Sequence, residues 1–180
     1  MYWYVLFVRT GQEYKVEQFL RKCLDKDTFL PFVPLQESLF KKAGKVKKEY
    51  SPLFPGYVFI ESELSNQEFI ERINTFIYTS QDIVCLLRYS EAQFSMKESE
   101  RQMLLSLCND SHCVELSSGF IEGDKIYITD GPLKGRESIV RKINRHKRQV
   151  WIEMEFMGEL KRVRIALELV ASKNRLLSDF

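Results

Sequence analysis

Hydrophobic and polar positions follow two rhythms along this chain, and the change of rhythm divides it. Trp3 to Val8 is an unbroken aromatic and β-branched run, the pattern of a buried strand. After the Gly11 break, Tyr14, Val16, Phe19, Leu20 and Leu24 fall near helical spacing and predict a helix. Leu30 to Leu39 reads as one extended piece in which Pro31 and Pro34 limit pairing, and KKAGKVKKEY from Lys41 reads as a hairpin tip. LFPGYVFIE from Leu53 returns as a central strand with Pro55 and Gly56 at its start. By the period of that strand Tyr57 and Phe59 share one face, while Val58 and Ile60 turn to the core. Phe69 to Ile73 predicts a second helix, Ile83 to Leu87 a fourth strand, and Ser99 to Leu107 a last helical turn or two. This order describes an α+β domain over residues 1–107.

From Cys108 to Gly119 the sequence turns small and polar with no strong period, so 108–119 reads as a linker. Beyond it the rhythm is period two: Lys125 to Thr129, Glu137 to Ile143, Val150 to Phe156 and Lys161 to Ile165, separated by glycine-rich or charged turns. Several short strands within about 50 residues predict a small β-barrel, here 120–172.

Charge sharpens the division. Residues 1–119 carry 14 Lys and Arg against 16 Asp and Glu, whereas residues 120–180 carry 13 against 9, so the cations concentrate in the C-terminal third. No apolar run approaches the roughly 18 residues that span a bilayer, and the opening MYWYVLFVRT lacks the charged lead of a secretory signal. Cys23, Cys85, Cys108 and Cys113 form no CxxC pair, which fits a cytoplasmic chain with reduced thiols. The two histidines, His112 and His146, sit in no nucleophile motif, and Cys108, His112 and Cys113 lack the second ligand pair of a zinc site. The expectation is a non-enzyme with no catalytic residue, no metal and no cofactor.

Taken in order, YWYVLFVRTGQEYKVEQFL, VPLQE, the lysine-rich tip and LFPGYVFIE resemble the N-terminal domain of NusG-type transcription elongation factors. FIEGDKIYITDGPLKGRESIVRKI and EFMGELKRVRIALELV resemble the KOW domain of the same family. The resemblance implies an antiparallel sheet with flanking helices that docks on the clamp helices of RNA polymerase, followed by an SH3-like barrel that recruits another component. It implies that Tyr4, Phe54, Tyr57 and Phe59 form the polymerase-docking surface, although alternate residues of that strand filling the core is the competing reading. It also implies that Asn74 and Thr75 of RINTF contact non-template DNA, against the alternative that Asn74 simply ends a helix. The Pro-Gly-Val usual after that pair is replaced by Phe76, Ile77 and Tyr78. Met157 stands where the general factor has the aromatic that engages ribosomal protein S10 or the Rho terminator, and Lys161 and Arg162 stand where Thr-Pro is usual.

Between Lys134 and Arg164 there are ten Lys or Arg against four Glu, and RKINRHKR puts five of the ten beside His146. Such clustering is the footprint of phosphate binding. Lys134, Arg136, Arg145, Lys147, Arg148, Lys161, Arg162 and Arg164 are therefore the candidate RNA-binding residues. The Gly131-Pro132 corner is expected to hold Lys134 and Arg136 beside the Arg145–Arg148 tip, so that separated segments grip one RNA hairpin. The pattern is similar to the LoaP group of specialised NusG paralogs, which implies a monomeric, operon-specific elongation and antitermination factor recognising a structured leader RNA. A general elongation factor linking polymerase to S10 or Rho, and a ribosome-associated RNA-binding protein, are the alternatives.

Overall fold

The computed structural model describes residues 1–42 and 44–170. In chain order the elements begin with β1 (Tyr2–Val8), α1 (Glu13–Cys23), β2 (Phe29–Phe32), β3 (Leu35–Lys42), β4 (Lys45–Pro52) and β5 (Tyr57–Ser62). Then come α2 (Asn66–Thr79), β6 (Ile83–Leu86), α3 (Glu98–Leu105), β7 (Cys113–Val114), β8 (Ser117–Glu122) and β9 (Lys125–Asp130). A 3-10 turn (Glu137–Ile139), β10 (Val140–Asn144), β11 (Gln149–Phe156) and β12 (Glu159–Leu169) complete the described chain. The last two residues of the expected 120–172 barrel lie outside the described residues. Among the described residues no helix is long and apolar enough to cross a membrane.

The chain forms two compact units. The first comprises Met1–Pro34, Phe54–Leu105 and Glu155–Leu160; the second comprises Leu35–Leu53, Ser106–Met154 and the residues from Lys161. The first unit is built on an antiparallel sheet of order β2-β5-β1-β6. Pro31 costs β2 little because β2 is an edge strand, where a missing N–H need not face a partner. The register of β1 on β5, Tyr4 opposite Ile60 and Phe7 opposite Tyr57, sorts side chains onto two faces. Tyr4 faces the helices and stacks on Phe69 of α2 with ring centroids 3.5 Å apart. Phe69, Ile73 and Ile77 of α2, with Val16 and Leu20 of α1, are the buried apolar positions of those two helices. On the opposite face Trp3, Phe32, Phe54 and Phe59 make an aromatic cluster, with Trp3 5.1 Å from Phe32 and Phe54 5.8 Å from Phe59.

One buried carboxylate ties the start of α1 to the FPG turn. Glu13, only 3% exposed, accepts hydrogen bonds from Gly56 N at 2.6 Å and Gly11 N at 3.1 Å. Gly56 has φ +87, and a Cβ there would stand 3.2 Å from Thr10 Oγ1, so the turn needs glycine both for its backbone and for its space. Val8 N in turn donates to Gly56 O at 2.8 Å, which carries the turn onto the end of β1.

The second unit holds a three-stranded sheet, β4-β3-β7, and a five-stranded sheet of order β10-β11-β12-β8-β9 to which the strands of the C-terminal half belong. Its core includes Ile128, Leu133, Val150, Ile152, Met154, Val163, Ile165 and Leu167. These elements are the α+β and β-rich halves that the sequence rhythm predicts.

Several boundaries differ. Leu30 to Leu39 is two strands, broken at Val33-Pro34, with β2 and β3 entering different sheets. The lysine-rich stretch is not merely a tip: β4 pairs along all of β3, from Leu35 opposite Pro52 to Lys42 opposite Lys45. The 108–119 segment, read as a linker, contains β7. Asn109 Oδ1 accepts from Cys113 N at 3.1 Å, and β7 pairs in parallel with β3 through Leu35–Cys113 and Gln36–Val114. Glu137 to Ile139 is a 3-10 turn rather than strand, since the Glu137 carboxylate reaches back to Ile128 N at 3.2 Å. β12 is longer than expected, running through Leu169, where it pairs with Gly119.

The Glu13 geometry makes a direct prediction. Glu13→Ala leaves two backbone N–H groups without their buried acceptor and should lower the unfolding free energy by about 1–3 kcal/mol, measured by urea denaturation of the full chain. A change below about 0.3 kcal/mol contradicts the assignment.

Candidate nucleic-acid interface and docking surface

The four expected docking aromatics do not share a surface. Tyr4 is fully buried on the helix face and its hydroxyl donates to Leu64 O at 2.7 Å; burial, with Tyr2 and Glu68 nearby, pushes its phenol well above the ordinary range. Tyr57 and Phe59 lie on the other face, as the strand period predicts, and Phe54 of the preceding turn packs against Phe59 there, but that face is also covered. Phe156, from the Glu155–Leu160 segment of the same unit, stacks on Phe54 at 4.7 Å and approaches Tyr57 at 5.2 Å and Phe59 at 6.0 Å. Phe54 and Phe59 are therefore core residues, and Tyr57 is half-buried. Val58 and Ile60 are buried with them, so both faces of β5 pack. The expectation of open rings at Phe54 and Phe59 fails because an apolar residue remote in sequence supplies their cover.

What remains accessible is a pair that the period alone did not single out. Phe7, 37% exposed, is paired across the strands with Tyr57, ring centroids 5.4 Å apart. Its hydrophobic character made it look like core inside the Trp3–Val8 run. Phe7 stands near the end of β1, opposite Tyr57 and next to the FPG turn.

Asn74 and Thr75 sit within α2, which continues to Thr79, so Asn74 does not end the helix. Both are exposed, and Tyr78, one turn on, is 86% exposed. Side chains at such spacing share one helix face, so Asn74, Thr75 and Tyr78 form a polar and aromatic strip.

The cations of the second unit divide into three places. Arg145, His146, Lys147 and Arg148 form the turn between β10 and β11 and are all exposed. The turn is held by the Asn144 side chain, by its own backbone and by β12: Lys147 N donates to Asn144 Oδ1 at 3.0 Å, Arg148 N to Arg145 O at 3.3 Å, and Leu167 N to Arg148 O at 2.9 Å. Arg148 has φ +51, a left-handed conformation that costs an arginine about 1 kcal/mol or more. Arg145 reaches Gly123 O at 3.3 Å, which places the β8–β9 turn beside this tip.

The second place is the outward side of β10, β11 and β12. Val150, Ile152 and Met154 are buried, so Trp151 and Glu153 point the other way. Arg141 and Arg162 flank Glu153 on the adjacent strands, at 3.2 and 3.4 Å. Hydrogen bonding from Arg141, then from Arg162, holds the Glu153 carboxyl below its usual range. Arg164 is exposed with Arg162, whereas Lys161 has the inward parity of Val163 and Ile165 and does not share their side of β12.

Lys134 and Arg136 are the third place, and they are not beside the tip. Gly131, φ +90, is pressed so closely against Leu116 and Ser117 that a Cβ would come within 2.7 Å of Leu116 O, and Leu133 behind it is fully buried. The corner is tightly packed. It lies at the end of β9 opposite to the Gly123 turn, and β10 carries the chain away from it to the tip, so the length of a strand, about 15 Å, intervenes.

A metal or thiol site has no support in this geometry. Among the described residues no group of three or more His, Cys, Asp and Glu could hold a metal ion. Burial, with Cys113 close by, pushes the Cys108 thiol up to about 12, so the thiolate that ligation requires is disfavoured.

Comparison with known proteins supplies the family. The family model for "Transcription termination factor nusG" matches residues 1–105. The transcription termination/antitermination protein NusG of Pasteurella multocida is 25% identical over 96% of this chain and 95% of its own length. The Thermus thermophilus protein of the same name is 23% identical over 87% and 90%. Among solved structures, "Domain interaction in Thermotoga maritima NusG" covers 92% of this chain and 93% of its own, with 18% identity and a TM-score of 0.48. Proteins of this family are transcription factors rather than enzymes. With the family model spanning residues 1–105 of 180, more than half of its length, the chain belongs to the NusG family.

Proposed function

We propose that this chain is an operon-specific transcription elongation and antitermination factor, of the specialised kind typified by LoaP. In this reading its N-terminal residues dock on the clamp helices of RNA polymerase, and its KOW portion holds a structured leader RNA. The observation that carries the reading is the Arg145–Arg148 tip: four consecutive basic or imidazole side chains on a turn that hydrogen bonds fix. A preordered cationic turn loses less entropy on meeting phosphates than a mobile one. The left-handed conformation accepted at Arg148 is a local cost of the kind found at functional sites. Lys134 and Arg136, separated from the tip, contribute to a second contact region rather than to the same grip. Non-template DNA falls to the Asn74, Thr75 and Tyr78 strip, where polar groups and one ring can meet an unpaired strand.

Met157, where the general elongation factor carries an aromatic, weighs against a shared S10 or Rho contact. A chain linking polymerase to S10 or Rho would need another residue for that role.

Docking begins at Tyr57 and Phe7, because the other rings of that face are already packed. Tyr57→Ala should weaken binding of the full chain to RNA polymerase by about 2 kcal/mol, close to 30-fold, in a pull-down or interferometry titration. Unchanged binding by a variant that melts like wild type places the docking surface elsewhere.

Replacing Arg145 and Arg148 together by Ala should weaken a structured RNA hairpin by about 10-fold or more in gel shifts of the full chain, with polymerase binding unaltered. The wild-type affinity should fall by roughly 0.7–0.9 log units per phosphate contact for each tenfold rise in salt. Binding of RNA that is equal in the double variant, or no RNA binding at low salt, contradicts the proposal.

A further inference from the structure

The outward side of the β10-β11-β12 strands carries a residue that a charged, solvated surface does not explain. Trp151 lies on β11 between Val150 and Ile152, both fully buried, and therefore turns its indole away from the core, where it is half-buried. On β10 its direct partner is Lys142. β12 returns from β11 through the two-residue turn Met157–Gly158, and Leu167 N donates to Arg148 O at 2.9 Å, a pairing in which Arg164 stands opposite Trp151. Lys142 and Arg164 are both exposed. The row Lys142, Trp151, Arg164 thus puts one indole between two cations on adjacent strands, about 5 Å to either side.

The rows on either side differ. Towards the Glu155 end, Arg141, Glu153 and Arg162 neutralise one another in part. In the other direction the strand leads to the Arg145–Arg148 tip, three residues or about 10 Å along β11. A nucleic-acid backbone drawn to the tip therefore passes the indole with cations on both flanks. Bases stack on aromatic rings whatever their sequence, since each has a π-face, while Lys and Arg hold the phosphates.

We propose that Trp151 is a stacking site for an unpaired nucleobase of the bound RNA, with Lys142 and Arg164 holding the phosphates beside that base. The site rests on the RNA-binding reading of the same face and adds to it a preference: unpaired loop or bulge nucleotides over continuous duplex. A fully paired helix keeps its bases stacked on one another and offers the indole no ring.

The chain contains two tryptophans, and the other, Trp3, is fully buried in the first unit, so a change in indole fluorescence on adding RNA reports on Trp151. Titrating the full chain with an RNA hairpin that has an unpaired loop should quench this emission. Trp151→Phe should abolish the quenching while keeping affinity within about threefold, because a phenyl ring still stacks. Trp151→Ala should weaken the looped hairpin about tenfold and leave a blunt RNA duplex of the same stem unchanged. RNA bound without quenching, quenching that persists in Trp151→Phe, or equal loss for hairpin and duplex in Trp151→Ala overturns the stacking site while leaving the cationic tip intact. Failure of wild type to bind either RNA overturns both readings together.

Discussion

The alternation of β11 is the constraint from which the proposed RNA-binding face follows. Burying Val150, Ile152 and Met154 on one side of the strand forces Trp151 and Glu153 to the other, because successive side chains point in opposite directions. A slip of one residue would put the glutamate and the indole into the core and three apolar side chains into water, so the register is strongly specified. Glu153 then sits where Arg141 and Arg162 can reach it from both neighbouring strands. Ion pairs as exposed as these contribute little stability, but they fix which cations are partly neutralised and which face outward without an acidic partner of that row. The face owes its character to packing on its reverse side.

The first unit obeys a related rule with a different outcome. Its central strands, β1 and β5, bury both faces, one under the helices and one in an aromatic cluster, so that most of the rings a docking surface might use are consumed by the core. Tyr57 and Phe7 escape because they stand at the end of the sheet, beside a turn whose shape depends on Gly56 and on the Glu13 carboxylate. The position of the accessible aromatics is therefore coupled to a buried polar contact on a neighbouring helix.

Much of this could be read from residue order, and the remainder shows where such reading stops. The strand rhythms of Trp3–Val8, LFPGYVFIE and Val150–Phe156 are local properties and are found where expected. Trp151 and the opposite parities of Lys161 and Arg162 were equally legible in QVWIEMEF and KRVRI, had strand period been weighed alongside charge density. Non-local facts were not legible. β7 is two residues long and exists because it pairs with β3, far away in sequence. The cover on Phe54 comes from Phe156, and nothing in LFPGYVFIE announces it. A tight turn at Gly131-Pro132 could be foreseen from residue type, whereas its distance from the Arg145–Arg148 tip required the path of β10.

The central claim, that this NusG-family chain travels with RNA polymerase and holds a structured leader RNA on the tip and outward face of its KOW strands, is tested most directly in cells. Ultraviolet crosslinking of the full chain, isolation of its polymerase-bound fraction and sequencing of the attached nascent RNA would show which transcripts it touches. The account predicts crosslinks concentrated in the leaders of a few operons and mapping to peptides that contain residues 141–151. Crosslinks spread evenly over nearly all transcribed genes, or recovery with ribosomes and without polymerase, would contradict it.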